Sequence, residues 1–113
     1  EVDAMLFVSI HVNWAAASGK RGPLVIYRKG DERSALLASL IQEQLNRQQG
    51  TGRRPQAADQ YYLLNRVPIP AAIVETAFLS HPQDRAMLTS ARGQTRIAAA
   101  IADGIAAYLS LVP

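Results

Sequence analysis

Apolar residues in this chain fall into short continuous runs separated by polar turns. The first run, Met5 to Asn13, is almost unbroken and ends in a polar group that contains His11 and Asn13. Such a run predicts a β-strand covered on both faces. Three further runs predict strands: Leu24–Arg28, Tyr61–Leu64, and the β-branched segment around Ile73 and Val74 that ends at Glu75.

Helical spacing marks the remaining segments. Leucines and isoleucines three and four positions apart predict a helix that begins at Asp31, its expected N-cap, and stops near Gly50. A short helix follows Pro82, and a longer one is predicted from about Gly93 to Leu109. The expected buried faces are Leu36, Leu37, Leu40, Ile41 and Leu45 on the first helix, and Ile97, Ile101, Ile105, Tyr108 and Leu109 on the last. The order β, β, α, β, β, α, α predicts an α/β fold, a layered twisted sheet flanked by helices.

Composition narrows the classes of function. The 113 residues suit a single domain, and an apolar content of 49% is enough for a core. The net charge of +3 is compatible with nucleic acid, an anionic membrane surface or an anionic wall polymer. The lack of cysteine excludes disulfides, thiolate metal sites and thiol nucleophiles. No apolar run reaches about 18 residues, so no transmembrane segment is predicted.

Two ionisable residues stand where such sheets collect their chemistry, at the carboxyl ends of the strands. His11 is either a satisfied strand-end histidine or a metal ligand or general base. Glu75 is either paired with a basic residue such as Arg54 or Arg66, or a general base that acts on water. We expect the two strands to lie side by side, with His11 facing Glu75, and Asn13 on the same side as His11 if the strand continues.

The other candidates have simpler explanations. Arg53 and Arg54 lie in a basic loop that could grip an anionic substrate or merely be solvated. Trp14 could stack on a ligand or cover the core. His81, next to Pro82, is most simply a surface residue at a helix start. The residues alone therefore indicate an α/β domain with a candidate His/Glu metal-hydrolase site.

Two segments resemble one known family. Residues 6–13, Leu-Phe-Val-Ser-Ile-His-Val-Asn, resemble the "LFISIHAN" strand of zinc-dependent N-acetylmuramoyl-L-alanine amidases. Residues 70–82 resemble that family's "PAVLVETGFLSNP", with Ala77 in place of Gly and His81 in place of Asn. The helix from Ser34 to Leu45, the Tyr62–Leu64 segment and the last helix are also similar, in the same order. The chain looks closest to the short germination and cell-wall amidases.

The resemblance implies an enzyme that cuts the amide between N-acetylmuramic acid and the L-alanine of the peptidoglycan stem peptide. His11 becomes a zinc ligand, and Glu75 becomes the carboxylate that shuttles protons. We also assign Asn13, Arg54 and Arg66 to substrate binding. The expected partner is peptidoglycan, with no nucleic acid, and the expected location is extracellular, in the cell wall or periplasm.

The resemblance also implies what this chain lacks. The family holds its zinc with two histidines and one glutamate, and the other histidine and the glutamate belong to amino-terminal segments with no counterpart here. We therefore expect residues 1–113 to be a carboxyl-terminal part of the amidase domain and to be inactive alone, because catalytic zinc needs three protein ligands. The alternatives are a non-catalytic peptidoglycan-binding module and another metal-dependent amide hydrolase.

Overall fold

A computed structural model describes residues 3–112 of the chain. Its strands are β1 (Phe7–Asn13), β2 (Leu24–Arg28), β3 (Gln56–Ala58) and β4 (Ala71–Phe78). Its helices are α1 (Glu32–Gln49), α2 (Tyr62–Arg66), α3 (Pro82–Leu88) and α4 (Ala91–Leu111). None of the helices described between residues 3 and 112 combines the length and apolar character needed to cross a membrane.

Within residues 3–112 the strands form one sheet in the order β1–β4–β2–β3. β1 runs parallel to β4, β2 runs antiparallel to β4, and β3 runs parallel to β2. The strands that carry His11 and Glu75 are therefore neighbours, as the sequence predicts. The α/β layered architecture is confirmed.

Side chains alternate between the two faces of the sheet and therefore belong to two separate apolar clusters. On one face α1 and α4 pack over Val25, Ala72 and Val74. On the other face the short helix α2 contributes Leu64, which packs with Ile26, Ala71 and Ile73. Because β4 serves both clusters, seven of its eight residues are buried and only Glu75 is less so.

The main helices approach each other at a glycine. A Cβ atom placed on Gly104 of α4 would lie 2.6 Å from the Cα atom of Ile41 in α1. No side chain fits there, so the glycine sets how closely α4 lies on α1.

Helix α1 begins and ends as the sequence predicts. The side chain of Asp31 accepts hydrogen bonds from the backbone N–H groups of Arg33 and Ser34. Burial would raise the pKa of Asp31, but hydrogen bonds from Ser34 and Arg28 outweigh it, and the pKa is lowered. Gly50 ends the helix with a left-handed φ of 68°.

One polar residue of α1 reaches the sheet. Gln42 is 1% exposed. Its Oε1 accepts from the backbone N–H of Val25 at 2.8 Å, and its Nε2 donates to the carbonyl of Pro23 at 3.1 Å. The buried amide is therefore fully used, as a buried polar group must be.

The strand predicted at Tyr61–Leu64 is wrong. That segment lies in the turn-and-helix region of α2, where Leu64 is buried while Tyr62 and Leu63 are 68% and 45% exposed. The third strand lies instead at Gln56–Ala58, which pairs with β2. Only one side of the apolar run at 61–64 finds a core, and a single helical turn satisfies that requirement.

Two predictions of burial are also wrong. β1 is not covered on both faces, since Ile10 and Val12 are 58% and 54% exposed. Leu36 and Leu109 are 39% and 41% exposed, so each lies at the border of its helix's apolar face. The remaining residues of the two predicted stripes are buried or partly buried.

Candidate active site

His11 and Glu75 face each other across the β1–β4 pair. They are direct partners in the parallel register, and Leu24 of β2 is the partner of Glu75 on its other side. Glu75 lies on the same face as Ile73, the face that α2 partly covers. It is the fifth of eight residues in β4, so the expectation that it ends the strand is wrong by three positions. The His11–Glu75 pair therefore lies on a sheet face rather than beyond the strand ends.

The Glu75 carboxylate has no hydrogen-bond or ion-pair partner within residues 3–112. Neither Arg54 nor Arg66 pairs with it. Burial raises the pKa of this carboxyl above its usual value, and the charge of His11 opposes part of that rise. A partly buried carboxyl that keeps its lone pairs free can accept and release a proton.

His11 is exposed and held by a neighbour on its own strand. Its Nε2 lies 2.6 Å from the hydroxyl of Ser9, two positions earlier on the same face. The hydroxyl of Thr76 donates to the backbone carbonyl of His11 at 2.9 Å. This bond ties the two strands together one residue beyond Glu75, so the facing arrangement is fixed on both the side-chain and the backbone level.

Asn13 does not simply continue the alternation of β1. The register with β4 shifts between His11 and Asn13, which pairs with Phe78. The side-chain oxygen of Asn13 accepts from the N–H of Trp14 at 2.9 Å. Asn13 therefore turns the chain out of the strand and into the loop that follows.

That loop is fastened by a carboxylate that sequence reasoning missed. Asp84 of α3 is 2% exposed and accepts from the backbone N–H of Gly22 at 2.8 Å and of Phe78 at 2.9 Å. The Nε of Arg21 lies 3.9 Å from its other oxygen. Asp84 joins the loop after β1 to the end of β4. In sequence it looks like an ordinary acidic residue in a first helical turn, and its partner Gly22 is 62 positions away.

A cleft is lined by Leu24, the residue of β2 that pairs with Glu75. It encloses about 510 Å³, and we call it the basic cleft. Its principal lining residues are Trp14, Lys20, Leu24, Arg53, Arg54 and Phe78, and Asn13 also contributes. Two of the predicted substrate-binding residues, Asn13 and Arg54, are thus brought together beside Glu75. Trp14 is 66% exposed, so it does not cover the core.

Two other residues lie apart from this group. Arg66 ends α2, ahead of the start of β4, and stacks on Tyr62 with its guanidinium carbon 4.7 Å from the ring centre. His81 is the N-cap of α3, where its Nδ1 accepts from the N–H groups of Gln83 and Asp84. That position fits the prediction of a residue at a helix start.

His11 has the chemistry of a metal ligand, but the site as described lacks the others. The imidazole of His11 is exposed, and its nitrogen chemistry suits zinc. Within residues 3–112, however, no group of three His, Cys, Asp or Glu side chains lies close enough to hold a metal ion. The described residues alone therefore do not fit a complete catalytic zinc site.

Comparison with known proteins decides the family. The model of the N-acetylmuramoyl-L-alanine amidase family, Amidase_3, matches residues 1–107. The chain belongs to this family. Among relatives of this amidase chain, the germination-specific N-acetylmuramoyl-L-alanine amidase of Bacillus subtilis is 29% identical over 109 residues, which are 96% of this chain and 46% of that protein. The amidase LytC of the same organism is 33% identical over 107 residues, or 93% of this chain and 22% of LytC.

Solved structures agree. The CwlD amidase of Clostridioides difficile, solved in complex with the GerS lipoprotein, is 37% identical and superposes with a TM-score of 0.93 over 97% of this chain. The catalytic domain of the amidase CwlV from Bacillus (Paenibacillus) polymyxa var. colistinus is 29% identical with a TM-score of 0.84. This chain spans only 57% of that CwlD chain and 60% of that CwlV chain.

Proposed function

We propose that this amidase chain carries the proton-shuttling half of a peptidoglycan amidase. The reaction is hydrolysis of the amide between N-acetylmuramic acid and the L-alanine of the stem peptide. The observation that supports this most directly is the in-register pairing of His11 with an unpartnered Glu75. The family match over residues 1–107 and the names of the relatives support this choice of reaction.

Glu75 acts on both sides of the amide. It takes a proton from the attacking water, and it then gives a proton to the nitrogen of the departing L-alanine. Its raised pKa favours the first step, because a more basic carboxylate takes the proton from water more readily and holds it until the amine departs. The bond from the Thr76 hydroxyl to the carbonyl of His11 joins the two strands beside this pair and supports the facing arrangement.

We further propose that His11 is one of three zinc ligands. The other two, a histidine and a glutamate, would come from outside the described residues. When bound, zinc would polarise the amide carbonyl and lower the pKa of water. Without those two ligands we expect no hydrolysis. The relatives named as cell-wall amidases support an extracellular, cell-wall setting for the complete protein.

The test restores the missing ligands. Residues 1–113 are joined to the segment of the C. difficile CwlD amidase that the match does not cover, and the chimera is given purified peptidoglycan. We expect release of free L-alanine amino groups and lactyl carboxyls, loss of activity with a chelator, and recovery with zinc. Glu75→Gln should lower turnover by roughly 10²- to 10⁴-fold, the range for a positioned acid–base.

Three controls keep this result interpretable. Zinc content and circular dichroism should be the same for the chimera and its Glu75→Gln variant, whereas His11→Ala should bind zinc more weakly. Normal hydrolysis by the Glu75→Gln variant would contradict our assignment. Peptidoglycan binding without hydrolysis, unaffected by a chelator, would favour a binding module. Other cleavage products would indicate a different metal-dependent amide hydrolase.

A further inference from the structure

The charged side chains that line the basic cleft are all positive. Three cationic side chains, Lys20, Arg53 and Arg54, line it, and no carboxylate among residues 3–112 does. Two aromatic residues, Trp14 and Phe78, complete its walls. A concave surface of one charge sign concentrates ligands of the opposite sign.

Arg53 is held in place before any ligand arrives. Its guanidinium carbon lies 5.9 Å from the ring centre of Phe78, and its NH2 group donates to the backbone carbonyl of Arg21 at 3.0 Å. A guanidinium fixed in this way loses little conformational freedom when it binds a carboxylate with its remaining N–H groups. Lys20 and Arg54 are exposed and can move to meet a second charge.

The position of the basic cleft says which part of a substrate it would meet. Leu24 in its wall is the cross-strand neighbour of Glu75, so their Cβ atoms lie roughly 5 Å apart. A peptide advances at most about 3.6 Å per residue. The cleft is therefore within reach of groups one to three residues away from an amide positioned at Glu75.

We propose that the basic cleft binds the carboxylates of the stem peptide, on the leaving-amine side of the bond that is cut. This inference depends on the proposed function for the bond. It follows because the N-acetylated glycan is neutral and the lactyl carboxyl is tied up in the amide, so the negative charge of this substrate lies on the peptide. Arg53 is the anchor, Lys20 and Arg54 add charge, and Trp14 covers the peptide backbone.

The test is a binding measurement on the 113-residue chain and needs no turnover. Trp14 is the single tryptophan, so its fluorescence reports on the basic cleft. The probes are N-acetyl-L-alanyl-D-glutamic acid and the same dipeptide with both carboxyls converted to carboxamides. We expect the acid to bind about tenfold more tightly than the diamide, from one charge-assisted contact at Arg53. Raising the salt concentration should remove much of that difference.

Matched variants assign the effect to residues. Arg53→Gln should weaken binding of the acid about tenfold, and Arg53→Lys should recover part of it, because the charge remains and the planar fork does not. Arg54→Gln and Lys20→Gln should each cost about two- to fivefold. Arg92→Gln, an exposed arginine on α4 outside the cleft, changes the net charge equally and should have no effect.

Two results would overturn the inference: equal affinity for the acid and the diamide, or loss of affinity in Arg92→Gln as large as in Arg53→Gln. Either result would leave the hydrolase proposal standing, since that rests on Glu75 and the chimera. Conversely, a chimera that does not hydrolyse would remove the proposed reaction while the preference for the acid could still be measured.

Discussion

Two carboxylates, Glu75 and Asp84, lie nine positions apart in sequence and have opposite surroundings. Asp84 is 2% exposed, and both its oxygens are engaged, by two backbone N–H groups and by Arg21. Glu75 is less buried, yet it has no partner among residues 3–112. A buried carboxylate that accepts two backbone hydrogen bonds stabilises structure, whereas one left unpaired at a partly buried position remains free for proton transfer.

The largest effect on stability should come from Asp84. Asp84→Ala should lower the free energy of unfolding by about 3 to 5 kcal/mol, because two buried N–H groups lose their acceptor and Arg21 loses its ion-pair partner. Denaturant unfolding of the chain measures this. If Asp84→Ala unfolds at the same denaturant concentration as the unaltered chain, the fastening role assigned to Asp84 is incorrect.

A substitution at His81 distinguishes the contribution of the Asp84 carboxylate from that of helix α3 as a whole. His81→Ala removes the N-cap of α3 and should cost about 1 kcal/mol of stability, well below the loss in Asp84→Ala. It should leave hydrolysis by the chimera unchanged, because His81 is not part of the His11–Glu75 pair. A loss as large as that of Asp84→Ala would mean that α3 as a whole, not its carboxylate, holds the loop.

The smallest effect concerns Glu75 and pH. Because burial raises its pKa in the folded chain, the folded state binds a proton more readily than the unfolded state does. The stability linked to that proton is fully present below the unfolded value and is lost as pH rises from about 4.5 through the folded value. Glu75→Gln cannot ionise and should therefore show a shallower fall in stability over this range. Unfolding curves between pH 4 and pH 8 compare the two, and identical slopes would contradict the assigned burial.

The sequence predicts the parts of this molecule that local patterns determine. The strands that carry His11 and Glu75 are predicted by apolar runs. The ends of α1 are predicted by Asp31, its N-cap, and by Gly50, its C-cap. The Tyr61–Leu64 run is too short to show a period, so strand and helix could not be told apart. The three residues of β3, Gln56 to Ala58, have little β-propensity and form a strand only because β2 offers them an edge.

The candidate site also has features that local sequence patterns predict and features that they do not. The pairing of His11 and Glu75 could be predicted because each lies in a segment whose apolar residues predict a strand of the same sheet, although neither residue ends its strand. The fastening by Asp84 and the convergence of Trp14 with Arg53 could not, because they join segments far apart in sequence through loops whose paths no periodic pattern encodes. The roles of His11 and Glu75 in catalysis stay predictions.

The amide of Gln42 connects helix α1 to the sheet by hydrogen bonds, in addition to the apolar packing between them. It hydrogen-bonds to the backbone of residues 23 and 25. These bonds take the place of a neighbouring strand, because the pairing of β2 with β3 has not yet begun there. Residue 24, between those two anchor points, stands next to Glu75. A substitution in the middle of α1, on the opposite side of the sheet, would therefore alter the position of the backbone next to Glu75.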